Sequence, residues 1–250
     1  MRADIRRINA KLEHMPHGDM GRVKNPQNLE LTSSYLSRID ASNPLHIEAR
    51  SMFKDRWLNP ERHYSSIQAI YEVVYRGKSA MRHLQQYDDY RSKLRSEQPR
   101  NRLVEEILFH CWTRRACNIG DDGSASAIPC SVKGCNLCHV LQCDFSGDNA
   151  RRGGNWGTGI YLTTSSEKAD AYARNLNDRS GKRHLVLLSK VLVGTPKRVY
   201  VKNKSLTQPP SGTDSIKAMT KDIGGVVKYS ERVVYRDDAV LPWLVIIYDR

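Results

Sequence analysis

The sequence predicts an α+β domain built on a mostly antiparallel β-sheet. After residue 100, segments rich in β-branched and large apolar residues outnumber segments with helical periodicity. These segments do not alternate with helices, as the βαβ units of a parallel sheet would require. With 250 residues, of which 39% are hydrophobic, the chain is long enough for one domain with an appendage or for two small domains, and the core is expected mostly after residue 100.

The first 45 residues differ from the rest of the chain. Segment 1–45 is polar, carries scattered charges and three prolines, and shows weak periodicity. We expect it to be disordered or extended, apart from a short helix around 29–39, with the domain spanning 46–250. No apolar signal segment begins the chain, and the longest apolar runs, 185–194 and 241–248, are too short to cross a bilayer. The expectation is an intracellular protein, nuclear or cytoplasmic, that does not enter a membrane.

Two amphipathic helices are predicted in the first half of the domain. Segments 47–57 and 79–97 place apolar residues at three- and four-residue steps, which puts them on one helix face. Between them, 66–75 is rich in β-branched residues and is compatible with either a strand or a helix. Segment 103–112 is predicted to end in a strand.

The second half is predicted to be strand-rich, after a long loop at 113–156. Segment 157–164 reads as a strand that begins with glycines, and 165–175 as a helix whose N-cap is Ser165 or Ser166. A loop rich in Pro, Gly and Ser covers 206–215. Three further apolar segments are predicted strands: 184–194, 228–236 and 240–249.

The chain is strongly basic. It has 40 Lys and Arg against 27 Asp and Glu, a formal net charge of +13. A surface of this sign attracts polyanions such as nucleic acid. General solubility accounts for the charge equally well.

All six cysteines lie between Cys111 and Cys143. Four of them are candidate ligands of one structural zinc ion: Cys117, Cys130, Cys135 and Cys138. Four thiolates suffice for a tetrahedral site, and a metal would stabilise a long polar loop that has little core of its own. His139 and Cys143 are alternative ligands, and free thiols in a flexible loop are the competing interpretation.

Several motifs occur in a fixed order along the chain. One strand ends in LFH at His110, and a G-x-G-I-Y motif ends at Tyr161, with Tyr172 eleven residues later. A PPSG-x-D-S loop then precedes E-x-V-V-Y, which begins at Glu231. This set resembles the catalytic domain of the poly(ADP-ribose) polymerases of the His-Tyr-Glu type, over roughly 47–250. The segment RRACNIGDD and the cysteines after it resemble a group of fungal proteins that carry this domain.

The resemblance implies a split antiparallel sheet with flanking helices, a Cys-rich insertion at 113–145, and NAD⁺ as the donor of ADP-ribose to protein acceptors. His110 would bond a ribose hydroxyl of the adenosine half of NAD⁺. Glu231 would bond the 2′-hydroxyl of the other ribose and stabilise the positive charge that develops on that sugar. Tyr161 and Tyr172 would sandwich the flat nicotinamide ring. The resemblance adds three residues to the donor site: Thr113, Gly157 and Gly159.

Taken one at a time, these side chains have ordinary structural explanations. Tyr161 and Tyr172 are compatible with core aromatics. Glu231 is compatible with a solvated strand residue, although Arg232 would then point inward. Their order along the chain favours the functional interpretation.

Two positions depart from the family pattern. The H-G-T motif becomes H-C-W-T at 110–113, and a serine eight residues after the strand tyrosine is replaced by Ala169. Both changes bear on the binding of the nicotinamide carboxamide.

The sequence is compatible with an ADP-ribosyltransferase that adds single units or polymers. It is also compatible with a catalytically weak protein that binds nucleic acid or polymer through basic runs at 91–102, 151–152 and 197–204.

Overall fold

The computed structural model describes residues 34–59, 61, 63–64, 66–99, 104–110, 119–130, 135–143, 145, 151–173 and 182–250. Within these residues there are eleven strands: β1 (Tyr35–Arg38), β2 (Ser66–Val74), β3 (Glu105–His110), β4 (Ser126–Ala127), β5 (Arg151–Gly154), β6 (Gly157–Thr163), β7 (Arg183–Leu192), β8 (Pro196–Val199), β9 (Ser215–Ala218), β10 (Glu231–Val234) and β11 (Val240–Asp249). The same residues form four α-helices: α1 (Pro44–Asp55), α2 (Gly77–Glu97), α3 (Asn136–Cys143) and α4 (Ser166–Asp170). Two short 3-10 turns lie at Lys221–Ile223 and Asp237–Ala239.

Ten of these strands follow one sheet path, in the order β4-β1-β2-β11-β7-β3-β6-β10-β9-β8, and β5 pairs with β6. The pairings are antiparallel except that of β8 with β9. The register between β3 and β6 consists of one residue pair, Phe109 with Thr163. The sheet is therefore split at this joint. The predicted α+β class, with a mostly antiparallel split sheet, is confirmed.

The two amphipathic helices form where their periodicity predicts them. α1 begins at Pro44 after Asn43, whose side chain accepts a hydrogen bond from the Leu45 backbone N–H at 2.9 Å. α2 buries one face at helical spacing, including Tyr87 and Leu94. The ambiguous segment 66–75 is strand β2, because it lies between β1 and β11, where β-branched residues pack well.

Part of the segment that was predicted to be disordered or extended is a strand of the sheet. Strand β1 pairs along its whole length with β2 and buries Leu36 completely. The helix predicted around 29–39 is therefore wrong over 35–38, because a four-residue strand is stabilised by its neighbours in the sheet rather than by its own sequence pattern. The sheet thus includes residues before position 46. The prediction of disorder for 1–33 lies outside the described residues.

The loop predicted at 113–156 contains regular structure. Within its described part lie β4, β5 and α3, and α3 buries Leu137, Val140 and Leu141 in the main hydrophobic core. These positions have the i, i+3, i+4 spacing of one helix face. The insertion is therefore attached to the domain through apolar packing.

The core has two parts. The larger cluster surrounds β7 and β11, and the smaller one forms around Trp156 on the β6-β10-β9 half of the sheet. Among the described residues, no helix is both long and apolar enough to cross a membrane.

Candidate active site and cysteine cluster

Three neighbouring strands carry the predicted triad. β3, β6 and β10 are adjacent in the sheet, and they contain His110, Tyr161 and Glu231 respectively. Thr163 of β6 is the common reference, because Phe109 and Glu231 both lie opposite it. Phe109 and Glu231, more than a hundred positions apart in the chain, thus flank the same residue of β6 at the joint between the two sheet halves.

The His110 side chain is bonded to the backbone of β6. Its Nδ1 lies 2.7 Å from the carbonyl oxygen of Tyr161, and its ring meets Phe145 edge to face with 5.2 Å between ring centroids. Burial lowers the pKa of His110 to about 4, and the bond to the carbonyl opposes this effect only in part. The imidazole is therefore neutral near pH 7. Because a carbonyl can only accept, Nδ1 carries the proton and Nε2 carries the lone pair.

The Tyr161 ring is fixed by two hydrogen bonds at its hydroxyl. The hydroxyl donates to the carbonyl of Gly157 at 2.9 Å and accepts from the backbone N–H of Trp156 at 2.8 Å. A Cβ at Gly154 would collide with the phenol, so the ring lies directly against this backbone. Tyr161 is half-buried and packs beside the smaller core cluster, so the interpretation as a core aromatic holds for part of its surface.

Gly157 and Gly159 allow close backbone approach to other parts of the protein. Gly157 has φ of +74°, and a Cβ there would collide with the carbonyl oxygen of Leu206. A Cβ at Gly159 would lie 2.7 Å from Cγ1 of Val233. Both glycines are required by packing within the fold. Their predicted contact with a dinucleotide stays a prediction.

Glu231 begins β10 and forms an ion pair that the sequence did not indicate. One carboxylate oxygen, Oε1, accepts from Nζ of Lys168 on α4, and the side chains of Glu231 and Lys168 are only 14% and 18% exposed. Register places Glu231 opposite Thr163, and therefore on the same sheet face as Tyr161, two residues away along β6. The carboxylate is thus held on the face that carries the phenol.

Arg232 points away from this face and has its own partner. It is 5% exposed, and its Nη2 and Nε donate to Oε1 of Glu106 at 2.9 and 3.2 Å. The inward arginine is thus neutralised by a carboxylate on β3. Glu231 is largely buried with a lysine partner, which does not fit a freely solvated strand residue.

Helix α4 lies beside the triad and is bonded to its surroundings at both ends. Ser165 is the N-cap, and its hydroxyl accepts from the backbone N–H of Lys168 at 3.2 Å. Glu167, 2% exposed, accepts from the Tyr229 hydroxyl at 2.6 Å, which adds a second link between α4 and the segment before β10. Sequence reasoning missed Lys168 and Glu167. In the sequence, they could have been recognised only as two adjacent charged residues on a short predicted helix between Tyr161 and Tyr172.

The far end of α4 contains a buried carboxylate. Asp170 is 3% exposed, and its Oδ1 accepts from Nδ1 of His184 at 2.7 Å and from the Tyr248 hydroxyl at 2.9 Å. Its Oδ2 lies 3.2 Å from Nε of Arg250. The helix is thereby attached to β7 and to the end of β11.

The remaining predicted donor residues differ in how the structure describes them. Tyr172 follows α4 and is 46% exposed, so its ring is accessible. Ala169 is buried on α4. Thr113 and the departure at 111–112 lie outside the described residues.

Three of the four predicted zinc ligands come together. The Sγ atoms of Cys130, Cys135 and Cys138 all lie within 4.8 Å of one another. Tetrahedral zinc with bonds of about 2.3 Å needs sulfur atoms about 3.8 Å apart, so a small movement would complete this geometry. Cys117 lies outside the described residues. The three thiols fit a metal of the zinc class.

The cysteine cluster is linked to the triad through packing. Cys138 and Phe145 are completely buried in the same core cluster, and Phe145 contacts the His110 ring. The insertion thus forms one wall of the His110 environment.

Comparison with known proteins gives one family. Residues 135–246 match the model of the poly(ADP-ribose) polymerase catalytic domain. The matched range contains Tyr161, Tyr172 and Glu231, whereas His110 precedes it. A search of curated proteins finds no match.

Proposed function

Because the chain carries a poly(ADP-ribose) polymerase catalytic domain over residues 135–246, we propose that it transfers ADP-ribose from NAD⁺ to protein side chains and releases nicotinamide. The observation that supports the proposal is the adjacency of β3, β6 and β10, the three strands that carry His110, Tyr161 and Glu231. One extended dinucleotide can contact residues on neighbouring strands, and holding the donor in a fixed geometry lowers the barrier to its reaction.

His110 would bind the adenosine half of the donor. With its proton on Nδ1, bonded to the Tyr161 carbonyl, Nε2 is the acceptor for a ribose hydroxyl. Burial keeps the ring neutral, so this acceptor is present throughout the physiological pH range. The same bond couples the imidazole to the strand that carries the phenol.

Tyr161 would provide one flat surface for nicotinamide, and the accessible ring of Tyr172 the other. The Tyr161 hydroxyl is already bonded to the β5–β6 turn, so its ring orientation does not depend on the ligand. A ring that is fixed before binding loses little conformational entropy when the donor arrives.

Glu231 would act at the bond that breaks. The bond between nicotinamide and ribose C1′ breaks, its electron pair leaves with nicotinamide, and positive charge develops on the sugar. Within the described part of the chain, Lys168 occupies Oε1 of Glu231, which leaves Oε2 to accept from the 2′-hydroxyl and to stabilise that charge. The acceptor oxygen then bonds to C1′, and a hydroxyl acceptor passes its proton to the carboxylate.

The test is transfer of label from NAD⁺ by the purified chain, compared with Glu231→Gln. This substitution keeps the shape and removes the charge, so we expect at least ~100-fold less transfer, the scale of one preorganised electrostatic group. Glu97→Gln is the matched control, because Glu97 is about half exposed at the end of α2, and it should leave transfer unchanged. Equal activity of the wild type and Glu231→Gln would contradict the proposal. The size of the labelled product distinguishes single units from polymers.

We also propose a structural zinc ion bound by Cys130, Cys135 and Cys138, with Cys117 as the fourth ligand and His139 or Cys143 as alternatives. Support comes from the proximity of three thiols in an insertion that packs on the core. Bound zinc or reduced thiols fit an intracellular compartment. Protein purified without chelator should contain one zinc per chain, and less than half an equivalent would contradict this assignment.

A second candidate is a protein that keeps the fold, transfers ADP-ribose poorly and binds a polyanion. It is favoured by the replaced residues at 111–112 and Ala169 and by exposed lysines around β8. The labelling experiment separates the two candidates. Absence of label with both the wild type and Glu231→Gln, together with tight polyanion binding, would favour the second.

A further inference from the structure

The basic runs of the sequence differ in how their charges are balanced. In the run on α2, Arg91 pairs with Asp88 at 2.6 Å and with Glu105 at 3.8 Å, and Lys93 lies 3.9 Å from Glu97. Carboxylates therefore already offset the charges of Arg91 and Lys93. The run at 197–204 has a different environment.

We name the residues from Lys197 to Lys204 the β8 basic segment. Its four cations are exposed: Lys197, Arg198, Lys202 and Lys204. None of them forms an ion pair with a carboxylate of the described residues. The sequence contains no acidic residue from 195 to 213, and the carboxylate of the next one, Asp214, accepts from the backbone N–H of Thr195 at 2.7 Å rather than from a cation of this segment. The positive charge of this segment is therefore available to a partner.

Apolar and aromatic surface lies between these cations. Tyr200 is 43% exposed and Val201 is 72% exposed. Exposed aromatic rings beside cations are typical of surfaces that bind single-stranded nucleic acid, where cations contact phosphates and bases stack on rings. An acidic peptide would use the cations and has no flat base to stack on Tyr200.

The segment is held in place rather than left as a free loop. The Trp156 indole N–H donates to the Val201 carbonyl at 3.0 Å, and the Asn203 backbone N–H donates to the Asn155 carbonyl at 2.9 Å. Trp156 also donates its backbone N–H to the Tyr161 hydroxyl. A ligand on the β8 basic segment would therefore lie beside the turn that orients Tyr161.

We infer that the β8 basic segment is a binding surface for single-stranded nucleic acid. This inference goes beyond the proposed transferase activity and does not depend on it. Four exposed cations that flank an exposed ring along the chain supply both the electrostatic and the stacking contributions that such binding needs.

The test is the anisotropy of a fluorescent single-stranded oligonucleotide, titrated with the full chain over a range of salt concentrations. Changing Lys197, Arg198, Lys202 and Lys204 together to Gln should reduce the slope of log affinity against log salt by up to about 2.8, which is about 0.7 for each cation. This change in slope means that lowering the salt from 1 M to 0.1 M increases the ratio of wild-type to variant affinity by up to roughly 600-fold. At 0.1 M salt, we expect the quadruple variant to bind at least ~30-fold more weakly than the wild type. Tyr200→Ala should weaken binding by about 5-fold or more without changing the slope.

The matched control removes the same charge elsewhere. Four exposed cations of α2 are changed to Gln: Lys78, Arg82, Lys93 and Arg95. This control should weaken binding by less than about 3-fold at 0.1 M salt, because only the long-range field changes. Equal weakening by the two quadruple variants would overturn the inference, and so would a wild-type affinity weaker than the non-specific range of about 100 µM. Thermal unfolding shows whether each variant is folded.

Two further comparisons complete the test. If a poly-glutamate peptide of equal charge binds as tightly as the oligonucleotide and Tyr200→Ala changes neither affinity, the surface serves acidic proteins and the nucleic-acid inference is overturned. The titration is repeated with Glu231→Gln, which should bind the oligonucleotide as the wild type does. A wild-type chain that binds the oligonucleotide but does not transfer ADP-ribose would contradict the proposed activity alone. A wild-type chain that transfers ADP-ribose but does not bind the oligonucleotide would contradict this surface alone.

Discussion

Replacement of Asp170 tests whether α4 is held by the buried carboxylate at its end. Asp170 is 3% exposed and accepts from His184 at 2.7 Å and from Tyr248 at 2.9 Å, with Arg250 at 3.2 Å. His184 and Tyr248 are 9% and 0% exposed, whereas the Arg250 side chain is 28% exposed. In Asp170→Ala, water can reach the arginine much more easily than the other two donors.

The magnitude follows from these two donors. A buried donor that loses its acceptor costs about 1–3 kcal/mol, so the loss of the acceptor for two such donors in Asp170→Ala should lower the free energy of unfolding by about 2–6 kcal/mol. Asp170→Asn keeps an oxygen that can accept from His184 and Tyr248, but its amide nitrogen faces the Arg250 donor and the negative charge is lost. We expect this variant to cost about 1–2 kcal/mol.

The assay is urea denaturation at neutral pH, with the free energy of unfolding extrapolated to water. Asp222→Ala is the control, because Asp222 is exposed on a 3-10 turn and should change stability by less than ~0.5 kcal/mol. A cost for Asp170→Ala below ~1 kcal/mol, or one no larger than that of Asp170→Asn, would refute the reasoning.

Three further perturbations follow from the same contacts. Burial lowers the pKa of His110 to about 4, so between pH 6.5 and 4 the unfolded chain binds a proton at this histidine and the folded chain does not. The free energy of unfolding should therefore fall by up to roughly 3 kcal/mol as the pH drops from about 6.5 to 4. This fall should be absent from the pH dependence of unfolding measured for His110→Gln. At Gly157 the backbone has a φ of +74° and an added Cβ would collide with a carbonyl oxygen, whereas Gly212 has a φ of +73° and open space around it. Gly212→Ala should therefore lower the free energy of unfolding by only about 1–2 kcal/mol. Gly157→Ala should lower it clearly more, as measured by chemical denaturation. Tyr229→Phe removes the donor to the buried Glu167 carboxylate at 2.6 Å and should lower the free energy of unfolding by about 1.5–3 kcal/mol; an unchanged denaturation midpoint would contradict a role for this bond.

Local pattern predicted much of the secondary structure. The helical spacing of apolar residues in α2 and the serine N-cap of α4 are properties of short segments, and the structure has both. β1 was missed because four residues carry almost no periodic signal, and their conformation is stabilised by pairing with β2. α3 has helical apolar spacing at Leu137, Val140 and Leu141, but it is only eight residues long, and the clustered cysteines in the same segment are equally typical of a metal-binding loop.

The candidate site shows a different limit. The set of His110, Tyr161 and Glu231 came from the order of motifs and their resemblance to a family, whereas composition and periodicity did not bring these residues together. The ion pair of Lys168 with Glu231 joins residues 63 positions apart, and only strand register and helix placement bring them into contact. Such contacts depend on tertiary structure, which a single sequence does not encode in any local pattern.

The most direct test of the central claim is the structure of the chain bound to a non-hydrolysable NAD⁺ analogue. One dinucleotide should contact all three strands, with a ribose hydroxyl bonded to Nε2 of His110, the nicotinamide ring against Tyr161, and the other ribose 2′-hydroxyl bonded to Glu231. An analogue bound elsewhere, or one that contacts Tyr161 while His110 and Glu231 remain distant from it, would contradict the claim that these side chains form one donor site.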